Sequence, residues 1–320
     1  MELSIIIVNW HSKEHVRNCI ASILATTRSI RFEIVVIDNA SFDGCDEMLR
    51  QHYPQVRFIQ SNQNLGFAKA NNVAFLESQG HSVLFLNPDT EATANAINVM
   101  FEYLQQMPNA GAVNCRLLNA DQTVQTSCIQ SFPTILNSLL DSDLLRTLFP
   151  KLPLWGMAPL FSDKDGPVEV EALSGACIML KRAIFESVGM FGEDYFMYAE
   201  DIDLCYKIRQ AGYKNYFIPN VAVIHYGGAS TEKTDSDFSS VTIRESCWRF
   251  LQKTRGKAYS MAYRLSMLLS SIGRITILLI ILPVRIVRPN GVSGLSALHK
   301  WWAILSWSLY LKDSSQFSLK

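Results

Sequence analysis

The 320-residue chain contains no Gly-x-Gly-x-x-Gly and no Gly-Lys-Ser/Thr. Those are the loops by which dinucleotide-binding and P-loop proteins wrap phosphate, so both readings lose ground. Its seven cysteines (Cys19, Cys45, Cys115, Cys128, Cys177, Cys205 and Cys247) are odd in number and include no Cys-x-x-Cys pair. This argues against a disulfide framework and a zinc site, and for reduced thiols in a cytosolic compartment. No basic leader precedes the first apolar run: Met-Glu-Leu-Ser leads into Ile5-Ile-Ile-Val8, read as a first strand rather than a signal peptide. Net charge is absent too, with 29 Lys+Arg against 29 Asp+Glu, but the balance hides a split. Residues 244–320 hold twelve Lys/Arg and two acids, Glu245 and Asp313, so the two parts must meet different surroundings. At 48% hydrophobic and 18% charged the chain is not disordered, and its length suits one large domain with an appendage, or two domains.

What is present is an alternation of strand and helix patterns. Leu3–Val8, Glu33–Asp38, Val56–Gln60 and Ser82–Asn87 read as strands, and Glu14–Ala25, Gly44–Gln51 and Gly66–Gln79 as helices. This order predicts an α/β fold with a mostly parallel sheet and helices on both faces. Ligands of such sheets bind beyond the carboxyl ends of the strands, where this sequence is unusually polar. Asn9 and Trp10 follow the first strand, Asp38 and Asn39 the second, Asn64 and Gly66 the third, and Asn87 and Asp89 the fourth. Asp38 suits a nucleotide base or ribose contact, although helix capping also accounts for it, as it does for Ser41 and Asp43. The turn Asn64-Leu-Gly66-Phe-Ala-Lys69 opens a helix where backbone amides and Lys69 can approach a diphosphate, but glycine also serves such turns for geometry alone. Asp89, held after Pro88, fits either a hard-cation ligand or a turn. His225, after the strand Val221–Ile224, fits either a second ligand or a hydrogen-bonded surface group.

Residues 198–212 read Tyr-Ala-Glu-Asp-Ile-Asp-Leu-Cys-Tyr-Lys-Ile-Arg-Gln-Ala-Gly and put Glu200, Asp201 and Asp203 in the first turn of a predicted helix. Acids there cap the helix, or they do chemistry.

Taken in order, Ser-Ile-Ile-Ile-Val-Asn-Trp, Val-Ile-Asp-Asn-Ala-Ser-x-Asp-Gly, Asn-x-Gly-Phe-Ala-x-Ala-Asn-Asn, Leu-Asn-Pro-Asp, Leu-Ser-Gly-Ala-Cys, Met-Tyr-Ala-Glu-Asp-x-Asp-Leu-Cys and His-Tyr-x-Gly-x-Ser resemble the family 2 glycosyltransferases of rhamnosyltransferase type, over residues 1 to about 230. The resemblance implies a GT-A fold, a nucleotide-diphosphate sugar donor, Mg²⁺ or Mn²⁺, and inversion at the anomeric carbon. It implies Asp38 on the nucleotide base, Asn9 and Trp10 in the first nucleotide loop, Asp89 and His225 on the metal and Asp201 as catalytic base; beside that base, Glu200 is read as serving the acceptor sugar and Asp203 the helix start. Asn87 stands where a full Asp-x-Asp has its first acid, so the metal meets one fewer negative charge. The Gln-x-x-Arg-Trp of processive synthases is missing after Asp201, so addition of a single sugar is expected. Close carboxylates are expected to raise the proton affinity of Asp201.

The C-terminal part bears on location. Leu265–Val284 and Val292–Leu311 are apolar stretches interrupted by Arg274 and by His299 and Lys300, with Trp301, Trp302 and Trp307 in the second and Pro283, Arg285 and Arg288 between them. Basic flanks and tryptophans suit helices lying on an anionic membrane surface, ahead of a spanning hairpin or soluble packing. The expected division is a catalytic domain over 1–230, a connecting helical segment over 231–260 and membrane-associating helices over 261–320, placed on the cytoplasmic face of the inner membrane. Membrane attachment and the resemblance imply a polyisoprenyl-diphosphate-linked saccharide acceptor in bacterial surface polysaccharide (O-antigen) assembly, with rhamnose from dTDP-rhamnose favoured and no nucleic-acid partner. A non-catalytic glycan-binding module is the competing class. A sugar-nucleotide pyrophosphorylase is disfavoured because Val8–Lys13 lacks the glycine-rich basic loop it would need.

Overall fold

A computed structural model describes residues 1–162, 165–227, 236–286 and 292–311. Two compact units are formed, Met1–Phe132 with Leu148–Ser230, and Pro133–Thr147 with Thr231–Lys320.

The first unit begins β1 (Leu3–Asn9), α1 (Lys13–Thr26), β2 (Phe32–Asn39), α2 (Cys45–His52), β3 (Arg57–Ser61), α3 (Gly66–Leu76) and β4 (Ser82–Leu86), each within a few residues of the sequence expectation. It continues through β5 (Thr90–Ala92), α4 (Ala96–Gln106), β6 (Ala110–Leu118) and β7 (Ile129–Gln130). The helices α5 (Ile135–Leu140) and α6 (Asp143–Leu148) come next, then β8 (Val168–Val170), β9 (Ala172–Leu173), β10 (Cys177–Lys181), α7 (Arg182–Ser187), α8 (Glu200–Gln210) and β11 (Lys214–His225). The second unit holds α5, most of α6, α9 (Ser236–Ile286) and α10 (Val292–Ser308).

Among the described residues the main sheet has nine strands in the order β3-β2-β1-β4-β10-β6-β11-β5, with β8 also on β11. β1 to β4 run parallel, β10 runs against β4 and β6, and β11 runs parallel to β6. The sheet is therefore mixed rather than purely parallel. In β1, Leu3, Ile5, Ile6 and Ile7 are fully buried, the continuous apolar run of a strand covered on both faces. Helix α1 answers with Val16, Cys19, Ile20 and Ile23, spaced along one stripe. Phe75, Phe85, Phe185 and Phe191 pack together on the other side, with ring centroids 4.7–5.3 Å apart. None of the seven cysteines forms a disulfide.

This topology collects one set of ends. The carboxyl ends of β1, β2, β4, β6 and β11 share an edge with the start of the reversed β10, because Cys177 pairs with Leu86. Backbone strain gathers there as well, since His11, Ala40 and Phe42 have φ near +50 to +60° without being glycine.

At the opposite edge the chain has no room to spare. A Cβ on Gly80 would lie 2.4 Å from the Ser4 amide nitrogen and 2.6 Å from the Leu3 carbonyl carbon. Gly80→Ala is expected to push β4 off β1 and cost about 1–3 kcal/mol, read as a lower urea midpoint with unchanged far-UV circular dichroism.

Candidate active site

Three loops at that edge are lashed together by side-chain amides. Asn9, fully buried, donates to Asp38 Oδ1 at 2.6 Å and Asp43 Oδ1 at 3.1 Å, and accepts from the Ser12 amide. Asp43 caps two helices across the loop, taking the Lys13 amide at the start of α1 and the Cys45 amide at the start of α2. Ser41 accepts from the His11 amide. Asn39 donates to Asn64 Oδ1 and accepts from the Leu65 amide, tying the end of β2 to the turn that opens α3. Asn9, Asp38, Asn39, Asn64 and Gly66 are thus brought together. Trp10 is half-buried beside His11, and Lys69 is exposed on α3.

Asp38 is 1% exposed, and four donors already reach it: Asn9, the Ser41 and Phe42 amides, and Gln60 at 2.7 Å. A base can reach this carboxylate only by displacing one of them. Gln60, on the exposed end of β3, is the donor at the solvent side.

The second cluster lies past β4. Thr90 of β5 pairs with His225 of β11, and the Tyr226 amide donates to the Asp89 carbonyl. This brings His225 Nε2 to 3.3 Å from Asp89 Oδ1 across 136 residues of sequence. Gln125, just beyond β6, sets the ring. Its Nε2 donates to the His225 carbonyl at 2.6 Å, which leaves its Oε1 to accept from His225 Nδ1 at 2.8 Å. With Nδ1 carrying the proton, a neutral ring turns its Nε2 lone pair toward the Asp89 carboxylate. Two acceptors at that distance need a proton or a cation between them. The Asn87 amide lies 3.4 Å from the same Nε2. Burial works against the charge on Asp89, but with a proton on Nε2 the His225 hydrogen bond and charge outweigh it and hold the carboxyl below its ordinary range.

The residues therefore fit a divalent ion with two strong ligands, Asp89 and His225, and an amide neighbour in Asn87. Among the described residues no group of three or more His, Cys, Asp or Glu adds a third charged ligand, so the remaining positions fall to water or phosphate oxygens. Beside His225 opens a cleft of ≈ 350 Å³ lined by Asn119, Val124, Gln125, Thr126, Ser127 and Gly227. Residues 228–230 of the following glycine loop lie outside the described residues.

The third cluster is the start of α8. Asp201 Oδ2 accepts from the Gly175 amide and Oδ1 from the Ile202 amide, both at 2.8 Å. A Cβ on Gly175 would make a tight 3.3 Å contact with the Asp201 Cβ. One residue on, the Ala176 carbonyl accepts from the Asn87 amide at 2.9 Å. The Ser-Gly-Ala turn before β10 thus links the α8 carboxylate to the Asn87 backbone, two residues before Asp89. The loop ahead of α8 is locked from α3: the Phe67 amide donates to Phe196, and Asn72 holds Phe191 and Glu193. Gly66, at φ +75°, leaves no space for a Cβ, which would meet the Phe196 carbonyl at 2.3 Å. Tyr198 and Ala199 both sit at positive φ (68° and 64°), a strained entry that fixes where Glu200 and Asp201 emerge.

The proton affinity of Asp201 is raised as expected, with burial as the leading cause. Burial pushes it up while the Gly175 and Ile202 amides pull it down. Glu200 is pushed well above the carboxylate range, by burial first and then by the charge of Asp201, a repulsion the two adjacent carboxylates share. Glu200 is 6% exposed and its Oε2 finds no hydrogen-bond partner. Asp203 is structural: it accepts from Tyr195 and pairs with Lys207 one turn on. Sequence reasoning missed Gln60 and Gln125 as parts of this edge, because a glutamine at a strand end or in a loop carries no signal of its own.

A mixed sheet of this order, with its polar clusters past β1, β2 and β4 and an acidic helix start beside them, is the GT-A class of fold. The chain belongs to glycosyl transferase family 2, whose family model matches residues 4–189. An N-acetylglucosaminyl-diphospho-decaprenol L-rhamnosyltransferase of Mycobacterium tuberculosis is 31% identical over 243 residues, 72% of this chain and 77% of that one. The rhamnosyltransferase WbbL of Escherichia coli K12 is 25% identical over 261 residues, 78% of this chain and 93% of that one. Among solved structures, the mannosyltransferase PcManGT of Pyrobaculum calidifontis, in complex with GDP-Man and Mn²⁺, superposes with a TM-score of 0.59 at 16% identity. It covers 98% of this chain and 88% of its own.

Two outcomes follow from the geometry. An acid whose folded value lies above its unfolded one stabilises below the unfolded value and loses that contribution as pH rises. Glu200→Gln is therefore expected to unfold at higher urea than the parent protein at neutral pH, the two curves converging toward about pH 4. Gln125→Leu removes both holds on His225. It is expected to weaken Mn²⁺-dependent binding of a nucleoside diphosphate about 10- to 100-fold by calorimetry, and to abolish the Nδ1–H preference in ¹⁵N spectra of the metal-free protein.

Proposed function

We propose that this glycosyltransferase adds a single sugar, with inversion, to a saccharide carried on a polyisoprenyl diphosphate, taking rhamnose from dTDP-rhamnose. The observation that carries the reading is the Ser174–Cys177 turn, whose Gly175 amide holds the Asp201 carboxylate and whose Ala176 carbonyl accepts from the Asn87 backbone, two residues before Asp89 of the Asp89–His225 pair. A base and an anion-neutralising centre linked through neighbouring residues of one short turn suit displacement at an anomeric carbon. The names of the mycobacterial and E. coli relatives support the rhamnosyl donor, and the first of them supports the lipid diphosphate acceptor.

Asp201 accepts the proton of the acceptor hydroxyl as its oxygen forms a bond to the anomeric carbon and the bond to the nucleoside diphosphate breaks. Its raised proton affinity suits this work, and the two amides fix the carboxylate in place. Glu200, with an unpartnered carboxyl oxygen next door, takes a hydroxyl of the acceptor sugar. Asn9, Trp10, Asp38, Asn39, Asn64, Gly66, Lys69 and Asn87 form the nucleotide-sugar side. Asp89 and His225 would hold Mg²⁺ or Mn²⁺, which when bound offsets the charge on the departing diphosphate. The Mn²⁺ in the PcManGT complex is consistent with such an ion. Residues 1–230 act as the catalytic domain on the cytoplasmic face of the membrane, 231–260 as a connector and 261–320 as the membrane-associating part.

The test is transfer by purified protein from dTDP-rhamnose, UDP-galactose, UDP-glucose or UDP-N-acetylglucosamine to a lipid-diphosphate N-acetylglucosamine, with Mg²⁺ or Mn²⁺. Turnover with the rhamnosyl donor alone is expected, and Asp201→Asn should lower it about 10²–10⁴-fold while donor binding survives. Donor binding without turnover, unchanged by the substitution, would instead favour a non-catalytic binding module.

A further inference from the structure

Helix α9 is inside out. Between residues 258 and 280 its outward positions are Ala258, Met261, Ala262, Leu265, Leu269, Ile272, Gly273, Thr276, Ile277, Leu279 and Ile280, without one charge. Its inward side carries the polar groups. Arg264, 7% exposed, donates to the carbonyls of Trp307 and Ser308 on α10 and lies 3.3 Å from the Tyr310 ring centroid. Arg274 donates to the Leu139 and Asp141 carbonyls and stacks 4.4 Å over Trp301. A helix in water turns its charges out and its leucines in. The reverse arrangement fits a medium less polar than the interior it faces away from. Among the described residues one helix, Phe238–Ile280, is long and apolar enough to cross a membrane by length and composition, and only 22% of its most apolar window is buried. Arg274, which interrupts the apolar stretch in the sequence, is thus withdrawn from the outer face.

The same unit contains a piece of chain from far upstream. Residues 133–147 lie between β7 and β8 in sequence, yet belong with 231–320. The segment is pinned along α9 at both ends, by the Ile135 amide to Tyr259 Oη and by Arg274 to Leu139 and Asp141. It too presents leucine outward, with Leu136 58%, Leu140 40% and Leu144 68% exposed. Beside the apolar face of α9, where Gly256 kinks the helix at φ +84°, Lys253, Arg255 and Lys257 are exposed. The only acid from residue 244 to 311 is Glu245, which is buried against Arg249. Leucines next to a basic rim are the complement of an anionic lipid surface.

We infer that the α5–α6 segment is a second membrane-docking element, its Leu136, Leu140 and Leu144 entering the same lipid leaflet as the outward face of α9. The inference rests on the membrane reading above and extends it to a segment inserted within the catalytic half of the sequence. Anchoring then involves two stretches of chain more than a hundred residues apart.

The experiment is flotation of the full chain with phosphatidylethanolamine–phosphatidylglycerol vesicles, beside pure phosphatidylcholine. Variants are Leu136→Gln/Leu140→Gln/Leu144→Gln and, separately, Leu265→Gln/Leu269→Gln/Ile272→Gln. Each triple is expected to lower partitioning about tenfold or more, with donor hydrolysis in solution unchanged and anionic vesicles preferred. If only the α9 triple reduces flotation, the inference falls while the membrane reading stands; if neither does, both fall. Unaltered flotation together with conversion of a dimer to a monomer by the α5–α6 triple, read by light scattering, would assign this face to a second copy of the chain. Against misfolding of the triple, a spin label at Leu144→Cys in otherwise intact protein provides an independent reading. On vesicles it should become accessible to oxygen and shielded from a soluble nickel chelate, and continued access to the chelate would overturn the inference.

Discussion

The arrangement of this site depends on one strand pairing, the short antiparallel contact of β5 with β11 that sets Thr90 opposite His225. Through it an imidazole from late in the chain reaches a carboxylate that leaves the sheet at β4. The meeting is costly unless something positive stands between the two, because both groups offer lone pairs and Asp89 is buried. A protein that accepts this cost has built a place for a cation or a proton. Gln125 makes the cost specific by deciding which ring nitrogen faces the carboxylate.

Asparagine recurs along this edge of the sheet for a related reason. A side-chain amide both donates and accepts, so one residue can close a gap between two loops and leave no polar atom stranded. Asn9 does so between β1, β2 and α1, Asn39 between β2 and α3, and Asn72 between α3 and the loop that leads to Asp201. Each lash lets a loop hold left-handed residues such as Ala40, Tyr198 and Ala199 that would relax if released. The same rigidity keeps Glu200 buried with a carboxyl oxygen unpartnered, a state that favours chemistry over stability.

The second unit obeys the opposite polarity rule. Its Arg264 and Arg274 turn inward to helix-end carbonyls and aromatic rings, while Leu136, Leu140, Leu144, Leu265 and Leu269 turn outward. In the sequence, Arg274 and Lys300 look like interruptions of apolar stretches. The structure shows Arg274 withdrawn from the outer face, so the apolar surface is more continuous than the linear order suggests. Arg288 lies outside the described residues.

Much of the first unit was legible without coordinates. A buried parallel strand needs an unbroken β-branched run, as in Ile5-Ile-Ile-Val8, and its helices need a 3.6-residue stripe, so local pattern determined β1 to β4 and α1 to α3. The acidic start of α8 and the polar strand tips could be read in the same way, because the chemistry of a loop is written in its own residues. The sequence alone could not show that Asp38 is already taken by four donors, nor how far burial adds to the raised proton affinity of Asp201. Nor could it show that Gln125 governs His225, or that residues 133–147 join the C-terminal helices. Those facts depend on contacts between positions many residues apart, and on how much water is left at each of them. Local pattern specifies what an element is; only the packed chain decides what stands opposite it.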